Sequence, residues 1–142
     1  TDPYFLAAQA IVVTPDSTIT CKADLEGKKV SVQTGTTAED YCMSNGYDVL
    51  AFTANNDAAS ALTTGKVDAW VVDNEVAVAL AAQQGLVVLD EAMTTEPYAF
   101  AFAKGSGELV SSFNTALKKL VDDGSVQKIF DDYGVLYVAP EA

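Results

Sequence analysis

Apolar positions recur along this chain with a period of two in some stretches and of about 3.6 in others, the repeats of strands and helices. Residues 5–14 (FLAAQAIVVT) form an extended apolar segment closed by Pro15-Asp16. Asp24-Leu25-Glu26-Gly27 is a short turn with helical leanings, and Val30 and Val32 then alternate in a strand over Lys29–Thr34. A helix is predicted from the hydroxyl cap at Thr36 to about Ser44, stopping before Asn45-Gly46, and a second strand over Val49–Phe52. Ala58 and Leu62 lie one turn apart in a helix over Asn55–Thr64, with Gly65 as its stop. Val67–Val72 reads as a buried strand, Asp73 as the cap of a helix through Gln84, and Leu86–Leu89 as a further strand. Tyr98–Ala103 is strand-like after Pro97. Leu109, Phe113, Leu117 and Leu120 then mark one face of a helix capped by Ser106 and ended by Gly124. Val126, Ile129, Phe130 and Tyr133 mark a last amphipathic helix, closed by Gly134.

Strands and helices alternate from residue 29 to residue 90, which predicts an α/β fold with a mostly parallel sheet flanked by helices. The last two helices follow one another without a strand, so they belong to another layer or lobe.

Composition narrows the chemistry. The chain has 142 residues, 49% hydrophobic and 20% charged, enough for one domain with a real core. No apolar run approaches the ~20 residues that span a bilayer; the longest, such as Val76–Ala82, fit core elements. The formal net charge is -12, and all 8 basic residues are lysines. A nucleic-acid site needs a basic patch to displace counterions from phosphate, so nucleic acid is not an expected partner. With no histidine, Ser–His–Asp and Cys–His catalysis lack their base and imidazole zinc sites their ligand. Cys21 and Cys42 match no metal or redox spacing; they are either one disulfide or two small apolar residues. The acidic pairs Asp122-Asp123 and Asp131-Asp132 do not fit a calcium loop and read as solvated helix ends.

Two places could do chemistry on a small solute. Gln33-Thr34-Gly35-Thr36-Thr37 runs from a strand through a glycine into a helix, whose unpaired N–H groups and partial positive charge can receive a carboxylate or phosphate. The same residues also fit a plain turn with a threonine cap, and G-x-x-x-x-G-K-[ST] is absent. Asp73 falls at the carboxyl end of a strand, where open α/β sheets bind ligands; it could take an ammonium group or serve only as a helix cap. Gly105-Ser106-Gly107 reads as a helix start. Trp70 reads as core or rim, and Tyr4 and Tyr98 as flanking the central array.

An ordered set of blocks carries a resemblance across nearly the whole chain. They are Asp2-Pro3-Tyr4; Asp24-Leu25-Glu26-Gly27-Lys28-Lys29-Val30; Gly35-Thr36-Thr37; Ala61 through Asp73 (ALTTGKVDAWVVD); Tyr98-Ala99-Phe100-Ala101-Phe102; and Lys104-Gly105-Ser106 with Asn114, Leu117, Gly124 and Ile129. Together they resemble the amino-acid-type periplasmic, or extracellular, solute-binding proteins of ABC transporters, family 3. The resemblance implies two α/β lobes joined by crossing strands and closing over a ligand. Residues 1–13 would then hold the first crossing strand, 14–95 the second lobe, and 96–142 the return crossing strand and C-terminal helices of the first lobe, whose N-terminal part would be lacking.

It further implies that Thr36 and Thr37 receive an amino acid's α-carboxylate, with Gly35 letting the backbone come close to the ligand, that Asp73 takes its α-ammonium, and that Gln33, Thr34 and Val72 border the side-chain pocket. No catalytic residue, metal or cofactor is called for. The implied partners are a small polar or charged amino acid and a membrane permease. The implied place is outside the cell or in the periplasm, compatible with a lipid anchor on the full-length protein. Family members clamp the α-carboxylate with an arginine, and this chain has none. Leu109, Phe113, Ile129 and Phe130 need something to pack against, which an exchange of elements between two copies would supply. The rival readings are a sensor module of a receptor or kinase, and a dehydratase-like enzyme on the same fold.

Overall fold

The computed structural model of the protein describes residues 1–135 and 137–140. In chain order the strands and helices are β1 (Phe5–Ala7), β2 (Gln9–Val13), β3 (Lys29–Gln33), α1 (Thr37–Ser44), β4 (Asp48–Phe52), α2 (Asn55–Thr63), β5 (Ala69–Asp73), α3 (Asn74–Gln84), β6 (Val87–Ala92), β7 (Glu96–Tyr98), α4 (Gly107–Asp122) and α5 (Ser125–Asp132). They divide into two units, Ala8–Thr94 and Thr1–Ala7 with Thr95–Ala142.

In the unit Ala8–Thr94, five strands form one sheet in the order β4-β3-β5-β2-β6. β3 pairs in parallel with β4 and β5, while β2 runs antiparallel to both β5 and β6. Four of the five strands therefore share one direction, and β2 is the exception. Residues 9–13, which the resemblance assigns to the first crossing strand, form this antiparallel strand.

Successive strand residues face opposite sides of the sheet, so each strand feeds two cores. Ile11, Val13, Val30, Val32 and Val71 pack with Leu25, Ala38, Cys42 and Met93 on the side of α1. Ala10, Val12, Trp70 and Val72 pack with Ala58, Ala59, Leu62, Ala77 and Ala81, from α2 and α3, on the other. Ser31, buried on β3, donates from its hydroxyl to the Ala58 carbonyl at 2.9 Å and ties α2 to the sheet. Both cysteines are free thiols.

In the other unit, β1 pairs antiparallel with β7, Phe5 opposite Tyr98 and Ala7 opposite Glu96. The strand expected over Tyr98–Ala103 is thus displaced upstream, to Glu96–Tyr98. Its partner is three residues long and runs out at Phe5, while Pro97, which lacks an N–H, is tolerated in an edge strand. Beyond Tyr98 the pairing gives way to single contacts, the Thr1 amino group donating to the Phe100 carbonyl at 2.8 Å.

α4 has no buried residue. Phe113 rests against Phe100 and Phe102, with ring centroids 5.1 and 5.3 Å away, and Phe130 against Phe5 and Tyr137 at 4.5 and 5.0 Å. Leu109 and Ile129 stay 56% and 57% exposed. The acidic helix ends are engaged locally: Asp122 and Asp132 pair with Lys118 and Lys128 one turn earlier, Asp131 accepts from Gln127, and Asp123 accepts from the Ser125 backbone N–H.

Candidate ligand-binding site

Within the unit Ala8–Thr94, the carboxyl ends of β3, β4 and β5 lead into the starts of α1, α2 and α3, and β2 begins at the same edge. A small depression there is lined by Gln9, Gln33, Thr36, Ala38, Asn55, Val71, Val72 and Asp73, with about 20 Å³ of free space, room for roughly one water.

The loop into α1 is shaped by Gly35, whose φ of +75° lies in the left-handed region that other residues enter at a cost. A Cβ there would meet nothing within 4 Å, so the backbone angle, not crowding, calls for glycine. Thr36 then caps the helix. Its hydroxyl accepts from the Glu39 N–H at 3.3 Å and donates to the Gln33 carbonyl at 2.7 Å. Glu39 reaches back and accepts from the Gly35 N–H at 2.6 Å, so loop and first turn are bound reciprocally. With the Thr36 hydroxyl engaged in this way, what remains at the helix head is the Thr37 side chain and the N–H groups of Thr37 and Ala38, which lack intrahelical acceptors.

Asp73 occupies the cap position of α3, as the sequence suggests, but makes no cap hydrogen bond. Its Oδ1 instead accepts from Gln9 Nε2 at 2.5 Å, and the same nitrogen donates to Thr37 Oγ1 at 2.9 Å. Gln9 lies directly opposite Asp73 in the β2–β5 ladder and is fully buried. Its backbone N–H donates to Thr94 Oγ1 at 2.9 Å, and its carbonyl accepts from the Met93 N–H at 2.8 Å. In the sequence Gln9 reads as part of an extended apolar segment. The available signal was a single amide in a run that is otherwise apolar from Phe5 to Val13, since a buried amide needs partners.

Gln33 borders the same depression. Its Nε2 donates to the Thr53 carbonyl and its Oε1 accepts from Asn55 Nδ2, both at 3.0 Å. Val72 is 4% exposed and contributes an apolar wall. Thr34 and Gly35 are exposed and do not line the depression; the Thr34 N–H extends the β3–β4 ladder to the Phe52 carbonyl at 2.7 Å. Of the residues singled out from the sequence, Gln33, Thr36, Val72 and Asp73 line one depression, and Thr37 joins Asp73 through Gln9.

Asp73 is the sole titratable residue in that lining. Cys42, on the buried face of α1, is no nucleophile: burial pushes its thiol up to about 12. Among the described residues no group of three or more His, Cys, Asp or Glu side chains could hold a metal ion, and no helix is long and apolar enough to cross a membrane.

Comparison with known proteins identifies the architecture. Residues 1–135 match the family of bacterial extracellular solute-binding proteins, family 3. The ABC transporter glutamine-binding protein GlnH of Bacillus subtilis is 31% identical over 91% of this chain and 49% of its own length. The L-cystine-binding protein TcyJ of Escherichia coli is 31% identical over 92% of this chain and 52% of its own. An ancestral arginine-binding protein solved with bound glutamine superposes with a TM-score of 0.71 at 40% identity, covering 94% of this chain and 62% of that one. The chain thus spans about half the length of the curated relatives it matches. It belongs to the bacterial extracellular solute-binding proteins, family 3.

Proposed function

We propose that the chain is part of the solute-binding component of an ABC transporter, placed outside the cell or in the periplasm, which takes up a small polar or charged amino acid and delivers it to a membrane permease. One observation carries this reading: the head of α1 and the Asp73 carboxylate share a single amide at the carboxyl edge of the sheet. An amide-lined helix start suits the α-carboxylate of an amino acid and a carboxylate suits its α-ammonium, and glutamine, cystine and arginine, for which relatives of this chain are named, have those two groups in common. We read residues 14–95 as the second lobe, with β2 joined to it, and α4 and α5 as part of the first. Closure over the solute is then a hinge motion drawn by contacts that exist only in the closed state. A binding role is favoured over a dehydratase-like one because Asp73 alone among the lining residues can move a proton.

No arginine in this chain can clamp the carboxylate, and bidentate guanidinium–carboxylate pairs are among the stronger contacts. Titrating the ¹⁵N-labelled chain with L-glutamine, L-cystine and L-arginine should show millimolar binding, about −4 kcal/mol, with shifts at Thr36, Thr37 and Asp73. Micromolar binding, about −8 kcal/mol, would contradict a clamp that lies outside this chain, and silence at those residues would remove the site. The exposed Leu109 and Ile129 are what favours an exchange of elements between two copies; a monomer mass by light scattering would refute it.

A further inference from the structure

We propose that Gln9 is a positioning residue that sets the polarity of this site, making Thr37 a donor and Asp73 an acceptor. This rests on the solute-binding reading and adds to it a reason why a zwitterion binds in one orientation.

An ionised carboxylate can only accept, so the amide of Gln9 must turn its NH2 toward Asp73; the opposite rotamer would set two acceptors face to face. That nitrogen carries two hydrogens. One goes to Asp73 Oδ1 and the other to Thr37 Oγ1. A threonine hydroxyl has one proton, and with Gln9 donating into its oxygen that proton is left to donate elsewhere, toward a carboxylate. Asp73 keeps its second oxygen to accept from an ammonium. A methionine at position 9 would impose neither polarity, and an ionised glutamate would reverse the first and repel the second. Gln9 is buried and held through its own N–H and carbonyl, so the arrangement stands before the solute arrives and costs little reorganisation.

The test begins without a ligand. In ¹H–¹⁵N spectra of the chain, both Nε2 protons of Gln9 should exchange slowly with solvent. Thr37→Val should move one of them and Asp73→Ala the other. Fast exchange of either proton with solvent, or one proton moved by both substitutions, would overturn the proposal. L-glutamine is then added alongside its N-acetyl and α-amide forms. In Gln9→Met, which keeps the bulk of the side chain, the preference for L-glutamine over both blocked forms should collapse toward one. An unchanged ratio would leave Gln9 a merely structural residue. Should no compound move any resonance while the two protons behave as described, the solute-binding reading falls and the hydrogen-bond pattern stands.

Discussion

Two helix starts in this chain carry nearly the same residues: Gly35-Thr36-Thr37 opens α1 and Gly105-Ser106-Gly107 opens α4. Thr36 caps its helix with a side-chain hydrogen bond, whereas Ser106 makes none. The inner face of α1 buries Ala38 and Cys42 against the sheet, and α4 buries nothing. What sets the first apart comes from elsewhere in the sequence, Gln9 from 28 residues upstream of Thr37 and Asp73 through the β2–β5 ladder. A glycine followed by a hydroxyl predicts a turn into a helix, and a site arises only where distant strands deliver complementary groups to it.

The largest contrast between the two regions should lie in their packing. Trp70→Ala, at a fully buried position, should cost about 3–5 kcal/mol in urea unfolding followed by circular dichroism, while Leu109→Ala should stay within about 0.5 kcal/mol. A large loss at Leu109 would mean that α4 is covered in solution. Next come the glycines. Gly35→Ala forces a side chain into a left-handed backbone and should cost about 1–2 kcal/mol; Gly107 has no positive φ and open space around it, so Gly107→Ala should be neutral or stabilising by up to about 1 kcal/mol. Equal effects would erase the distinction between the two turns. Thr36→Ala should remove about 1 kcal/mol of capping, against a change too small to measure for Ser106→Ala.

The last effect is one of pH and is absent near neutrality. The Cys42 thiol is raised in the folded protein from 9.0 to about 12 by burial, so only the unfolded chain ionises it between those values. Its contribution to stability is therefore constant below pH 9 and declines as pH rises toward 12. For the same reason an alkylating reagent at pH 8 should modify the half-buried Cys21 well before Cys42, as mass spectrometry would show.

The alternating elements of the unit Ala8–Thr94 were legible because each strand and helix shows its own period, and the observed bounds of α1, β4 and α2 lie within a residue of those read from the sequence. The pairing of β2 was not. An apolar run does not show which strands it joins or in which direction, and both partners of β2 lie far along the chain. Periodicity likewise identified the apolar face of α4 without saying what covers it. At the candidate site, Thr36 and Asp73 could be singled out because turn residues and strand ends have local signatures. Gln9 had none beyond being polar in an apolar stretch, and its partners lie in two other elements. The capping role read for Asp73 failed for the same reason: local sequence offered a helix start, and the carboxylate found a better donor across the ladder.

One edge of the sheet should receive both ends of a zwitterion, and comparing L-glutamine with N-acetyl-L-glutamine and L-glutamine α-amide in ¹⁵N titrations tests this most directly. The prediction is that L-glutamine shifts Gln9, Thr37 and Asp73 together, that blocking the amine abolishes the response at Asp73, and that blocking the carboxylate abolishes it at Thr37, with α4 silent throughout. If N-acetyl-L-glutamine binds as well as L-glutamine, or the shifts gather at Ser106–Leu109, the account is contradicted.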